Sequence, residues 1–147
     1  MVKKRTCVFI SGKGSNLKNL ILRSRDSNFP VNIKLIVSNN KNAIGIMHAK
    51  INSIPYIIID KNLRNHEDYL LQVLKNRNIS LLQLDIEGYE KQALLGGMDL
   101  IKRCAPILLL ENPLPDTIWL EKHIFSLGYS VTGVVQGNSI LQNLRKY

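Results

Sequence analysis

Short apolar segments of strand character alternate with segments of helical period along almost the whole chain. That alternation narrows the choice of fold more than any other feature. Residues 6–10 read as a buried strand that stops at Ser11-Gly12. Leu17, Leu20 and Ile21 then recur at helical spacing over residues 16–25, with Ser15 placed to cap the helix. Residues 31–37 form a second strand, 42–51 a helix and 55–59 a third strand stopped by Asp60. Residues 65–75 form a helix whose apolar side carries Tyr69, Leu70, Val73 and Leu74, and residues 81–84 form the fourth strand. A helix over 89–103, broken at Gly96-Gly97, leads to a fifth strand at 106–110 and a helix at 118–126. Residues 129–135 and 139–144 close the chain as an antiparallel pair around Gly137-Asn138.

Strands that alternate with helices predict an α/β fold: one doubly wound, Rossmann-like sheet, mostly parallel, with a C-terminal antiparallel strand pair. The 147 residues suit a single domain of this kind. In a sheet ordered 3-2-1-4-5 the ligand crevice lies beyond the carboxyl ends of strands one and four. The loops that border it are residues 11–16 and 85–89, with residues 111–115 beside them. The longest apolar runs, such as Ile107-Leu108-Leu109-Leu110, fall far short of the roughly 18 residues of a membrane span. Met1-Val2-Lys3-Lys4-Arg5 leads directly into a strand, so no signal peptide and a cytoplasmic location are expected. Cys7 and Cys104 sit in apolar contexts and read as buried, reduced thiols.

The charge is unevenly spread. The net charge is +9, yet residues 1–80 carry +10 and residues 81–147 carry −1. Twelve of the fifteen asparagines lie in the first 80 residues, whereas six of the nine glycines lie in the last 67. A break this sharp without a linker suggests two histories joined near residue 80. A basic half suits phosphate, nucleotide or nucleic-acid ligands, or is simply a lysine-rich solvated surface. Zinc-finger spacing, aromatic RNA-binding motifs and long basic runs are all missing, so no specific nucleic-acid partner is expected. No membrane partner is expected either.

The loop Ser11-Gly12-Lys13-Gly14-Ser15-Asn16 follows a strand and opens a helix. Glycines let the backbone approach an anion closely, and the first helical turn offers unpaired N–H groups at the positive end of the dipole. Ser15 and Asn16 add side-chain donors and Lys13 a point charge. Phosphate binding by Gly12, Lys13, Gly14, Ser15 and Asn16 is therefore chemically sound. The same residues also suit an ordinary capped turn. The spacing is neither that of a Walker A loop nor that of a full dinucleotide fingerprint.

The string Val8-Phe9-Ile10-Ser11-Gly12-Lys13-Gly14-Ser15-Asn16-Leu17 resembles the opening of the glycinamide ribonucleotide formyltransferases. Ile36-Val37-Ser38-Asn39-Asn40-Lys41-Asn42-Ala43-Ile44-Gly45, Ile54-Pro55 and the helix from His66 to Leu74 continue that resemblance over residues 1–80. It implies that Gly12, Gly14, Ser15 and Asn16 hold the phosphate of a ribonucleotide. The catalytic Asn-x-His-Pro-Ser motif of those enzymes and their folate loop have no counterpart here. Asn112, in Glu111-Asn112-Pro113-Leu114-Pro115, echoes the asparagine but no histidine follows it, and His48, His66 and His123 all fall in predicted helices. Folate and formyl transfer are accordingly not expected.

Residues 81–147 resemble the carboxyl half of FkbM-family methyltransferases. The resemblance rests on Leu84-Asp85-Ile86-Glu87-Gly88-Tyr89-Glu90, Leu94-Leu95-Gly96-Gly97, Pro106-Ile107-Leu108-Leu109-Leu110-Glu111 and Leu127-Gly128-Tyr129. That family uses S-adenosylmethionine, through a loop after strand one and an acidic residue after strand two. This chain has Ser11-Gly12-Lys13-Gly14-Ser15-Asn16 and Ser38-Asn39-Asn40 at those places. Asp85, Glu87 and Glu111 are the catalytic candidates: carboxylates at adjacent strand ends can orient an acceptor, act as a base or hold a hard cation. Glu87 and Glu90 equally suit the N-terminal end of the following helix. Gly88 reads as a turn residue, and Trp119, Phe125 and Tyr129 as core. The expectation is a chimera-like one-carbon-transferase domain that keeps a ribonucleotide-phosphate loop. A methyltransferase and an inert scaffold are the alternatives.

Overall fold

The computed structural model describes residues 2–59, 66–86 and 88–145. Seven strands form one sheet in the order β3-β2-β1-β4-β5-β7-β6. The strands are β1 (Lys4–Ile10), β2 (Val31–Ser38), β3 (Tyr56–Ile58), β4 (Leu81–Asp85), β5 (Ile107–Glu111), β6 (Tyr129–Val135) and β7 (Asn138–Asn143). The first five pair in parallel, and β7 runs antiparallel to both β5 and β6. The expected 3-2-1-4-5 core is therefore present, closed by the antiparallel pair.

Two apolar clusters cover the sheet. One joins Val8, Ile10, Ile36 and Val31 to Leu17 and Ile21 of α1 (Ser15–Ser24) and Ile46 and Ala49 of α2 (Gly45–Ile51). The other joins Cys7, Val37, Leu82, Leu84, Leu108 and Leu110 to the remaining helices. These are α3 (His66–Asn76), α4 (Glu90–Gly96), α5 (Met98–Cys104) and α6 (Thr117–His123), the last followed by a 3-10 turn at Phe125–Leu127. Alternation along β1 puts Cys7 in one cluster and Val8 in the other, as a sheet covered on both sides requires.

Several local expectations shift. α2 begins at Gly45 rather than at residue 42, because Asn40 ties residues 40–43 into a turn: its Oδ1 accepts from Asn42 N (2.9 Å) and its carbonyl from Ala43 N (3.1 Å). Ser15 is the first helical residue, and Gly14 takes the cap position. The break at Gly96-Gly97 is real and divides α4 from α5. Tyr69 is 58% exposed, so α3 faces the core with Leu70, Leu71, Val73 and Leu74 instead. Cys104 is exposed at the end of α5, although Cys7 is fully buried as expected. Tyr129 is buried and donates to the Pro106 carbonyl (2.8 Å), while Trp119 and Phe125 pack against the same cluster.

Candidate functional site: the glycine loop at the switch point

β1 lies between β2 and β4, and its last residue, Ile10, pairs with Ser38 on one side and Asp85 on the other. The chain leaves β1 at the point where strand order reverses, which is where open α/β sheets place ligands.

The turn from β1 into α1 is built by two glycines pressed together. Gly14 has φ +69°, and a Cβ there would stand 2.6 Å from the Cα of Gly45. A Cβ on Gly45 would in turn stand 2.5 Å from Ile10 Cδ1 and 3.3 Å from Gly14 Cα. Gly45 N donates to the Gly12 carbonyl (3.2 Å) and Asn40 Nδ2 donates to the Ser11 carbonyl (3.2 Å). The loop's acceptors at Ser11 and Gly12 are thus engaged by the β2–α2 segment.

The first α1 turn has the opposite character. Its opening backbone bond runs from Lys18 N to Gly14 O (2.9 Å), so the N–H groups of residues 15–17 precede the helical ladder. No side chain caps this end and no acidic residue occupies the first turn. Lys13, Ser15 and Asn16 are exposed around it. All five expected phosphate residues therefore surround one open helix N-terminus, where the dipole favours an anion. The sequence alone gives Gly45 and Asn40 no role. The signal was available, since both fall in the Ile36–Gly45 string, but their use depends on a contact between separate loops. His48 adds to the surroundings: its Cδ2 would be 3.7 Å from a Cβ on Gly14.

The carboxylates divide. Asp85 ends β4 beside Ile10, and Glu111 ends β5 where it pairs with Asn138 of β7. Leu84 pairs with Leu110, so both acids follow one paired position on neighbouring strands. Glu87 lies outside the described residues. Glu90 is 5% exposed and its Oε1 accepts from Gly88 N (3.2 Å), which gives it a structural role at the start of α4. Gly88 has φ +88°, as a tight turn there demands. Asn112 is bound into the β5–β7 junction: its Oδ1 accepts from Ser139 Oγ (2.7 Å) and its N–H donates to Gly137 O (2.9 Å). Among the described residues no three His, Cys, Asp or Glu side chains cluster closely enough to hold a metal ion.

The residues after β2 do not suit S-adenosylmethionine held in the usual way. Ser38 Oγ donates to Asn40 O (3.0 Å) and accepts from Asn40 N (3.1 Å), so both residues are committed to the turn. Asn39 offers an amide where the resemblance implies a carboxylate for the ribose hydroxyls. Lys13 places a cation in the loop that would neighbour a sulfonium.

Comparison with known proteins gives two lines of kinship. Phosphoribosylglycinamide formyltransferase of Haemophilus influenzae is 32% identical over 92 residues, covering 60% of this chain and 42% of that enzyme. The solved phosphoribosylglycinamide formyltransferase of Brucella melitensis is 28% identical with a TM-score of 0.53, over 56% of this chain and 45% of that one. The Bacillus halodurans enzyme of the same description shares the fold more widely, with a TM-score of 0.57 at 19% identity, over 84% of this chain and 66% of its own. The chain spans less than half the length of the curated relatives it matches. The FkbM methyltransferase domain model matches residues 21–146, a stretch that begins well before residue 81, where the motifs that carry the resemblance start. With a formyltransferase-like fold and a match over most of its length, the chain belongs to the FkbM methyltransferase domain family.

Proposed function

We propose that this domain binds a phosphorylated small molecule, a ribonucleotide or related sugar phosphate, at the N-terminus of α1, and that formyl transfer has been lost. The observation that carries the reading is the uncapped first turn of α1, backed by the Gly14–Gly45 contact. A Cβ at Gly14 would meet backbone, so the loop holds its shape only with glycine there. The phosphoribosyl group named in the relatives' descriptions fits this chemistry. Loss of formyl transfer is supported by the engagement of Asn112 with Ser139 and by the lack of a histidine after it. Asp85 and Glu111, which end neighbouring strands, together with Glu87, which lies outside the described residues, are the groups we propose to orient a polar acceptor or take a proton. The composition break near residue 80 supports a chain of two joined halves, and the cytoplasm remains the proposed location.

A second reading, S-adenosylmethionine-dependent methyl transfer, is favoured by the family match over residues 21–146. The loop after β1 and the asparagines after β2 oppose it.

Thermal unfolding separates these readings, since a ligand that binds only the native state raises the midpoint by mass action. Glycinamide ribonucleotide and AMP should each raise Tm, by the equivalent of about 2.7 kcal/mol at a hundredfold excess over Kd. Gly14→Asp should abolish the shift. A shift with S-adenosylmethionine alone would transfer the assignment to methyl transfer. A transition that no ligand moves would leave an inert scaffold.

A further inference from the structure

On the side of the sheet away from α1, a cavity of about 590 Å³ lies between α3 and the α4–α5 pair. Its floor is Val37, Leu82 and Leu84 of the sheet, and its walls include Leu71 and Leu74 of α3 and Leu94 and Met98 of α4–α5. Phe9, Asn39, Ile59, Ile86 and Tyr89 line it at the carboxyl ends of the first four strands. The size falls within the range of small-molecule sites.

The chemistry of the walls selects the occupant. The polar side chains that touch the cavity are Asn39, Asp68, Tyr89, Gln92 and Asp99, and each is exposed at the protein surface. Among the described residues, every other side chain lining it is apolar. Among the described residues the buried side-chain oxygen without a partner is Gln83 Oε1, and Gln83 does not line the cavity. A nucleobase seated inside would bury several donors and acceptors with nothing to meet them. Water is a poor filler for the same reason. An apolar chain loses no hydrogen bonds on entry and restores the dispersion contacts that the cavity walls lack. Leu70, Leu71 and Val73 face this side yet are only half buried, so α3 presents apolar surface that its own core does not cover.

We infer that this cavity is a binding site for an uncharged hydrocarbon chain, a fatty-acyl or isoprenoid group, whose polar end emerges at Asn39 and Tyr89. Asn39 and Tyr89, exposed at the carboxyl ends of the strands, give the head polar neighbours and water there. The cavity lies on the other side of the sheet from α1, meets the phosphate loop only at Ile10, and does not depend on the phosphate reading.

Calorimetric titration of the full chain with dodecanol and with farnesol tests this, and the pair distinguishes a straight chain from a branched one. The expected result is saturable binding of one molecule per chain and a raised Tm. Ala93→Phe and Leu71→Trp, which fill the space, should each weaken binding at least tenfold while the unliganded Tm stays equal or rises. Should Ala93→Phe fail to fold, Leu71→Trp carries the comparison. Uptake of several molecules per chain, no saturable binding of either alcohol, or parental affinity in a folded filling variant would overturn the assignment. So would adenosine displacing a bound alcohol.

Discussion

Gly14 and Gly45 meet through their backbones, so a methyl group at either is felt, but unequally. At Gly14 the new Cβ meets Gly45 Cα at 2.6 Å and the residue must also hold φ +69°. At Gly45 the obstacle is the tip of the Ile10 side chain. Gly14→Ala should therefore destabilise by about 1–3 kcal/mol from backbone strain alone, and by more than Gly45→Ala, as urea unfolding of the two variants will show. Cys7 carries a second prediction. Burial pushes its thiol well above the ordinary value of 9.0, with Arg77 pulling weakly the other way. A thiolate is the reactive form, so a thiol reagent should label Cys104 in the native protein and reach Cys7 only on unfolding. Asp116 supplies the pH dependence. The hydrogen bond from Lys91 (2.6 Å), then the one from Trp119 N, lowers its carboxyl below the ordinary 3.8. A lowered folded-state value means stability that is present above the unfolded value and lost as pH falls through the folded one. Asp116→Asn should flatten the dependence of Tm on pH below about pH 4 and leave it unchanged near neutrality.

Elements were legible wherever one period ran long enough. The five parallel strands stand where their apolar runs put them, but the hairpin turns at Gln136-Gly137, one residue before the expected Gly137-Asn138, because Asn138 already pairs with Val135 in the ladder. Helix starts were less legible, because they depend on what the neighbouring loop does. Ser15 has the chemistry of a cap, yet the contact with Gly45 puts Gly14 there. Asn40 delays α2 by a turn that only its partners explain. Tyr69 matched the helical period but lies on the exposed side of α3. The packing of elements yields its own tests. Leu74 of α3 is buried toward the sheet, at 3% exposure, and Leu74→Ala should cost about 2–5 kcal/mol in chemical denaturation. Tyr129 anchors the start of β6 to the turn before β5 by its buried bond to Pro106. Tyr129→Phe leaves that carbonyl without its donor and should cost about 1–2 kcal/mol by the same measurement.

At the scale of the molecule, β1 from the basic half pairs along five positions with β4 from the other half. The sheet is continuous across residue 80, and the larger apolar cluster draws Cys7, Leu35 and Val37 together with Leu108, Leu120 and Tyr129. A single cooperative transition should result, with Trp119 fluorescence and far-ultraviolet circular dichroism melting together. Two separated transitions would mean that the halves keep independent cores. The residue pattern by itself determined the α/β class, the succession of strands and helices and the glycine loop, because periodicity and turn chemistry are local properties of the chain. Only the tertiary structure decided that Gly45 and Asn40 shape that loop and that Asn112 is committed to Ser139. It also decided that Cys104 reaches the surface and that α3 and α4–α5 enclose an apolar space. Each of those depends on contacts between segments distant in sequence, whose geometry no local pattern encodes.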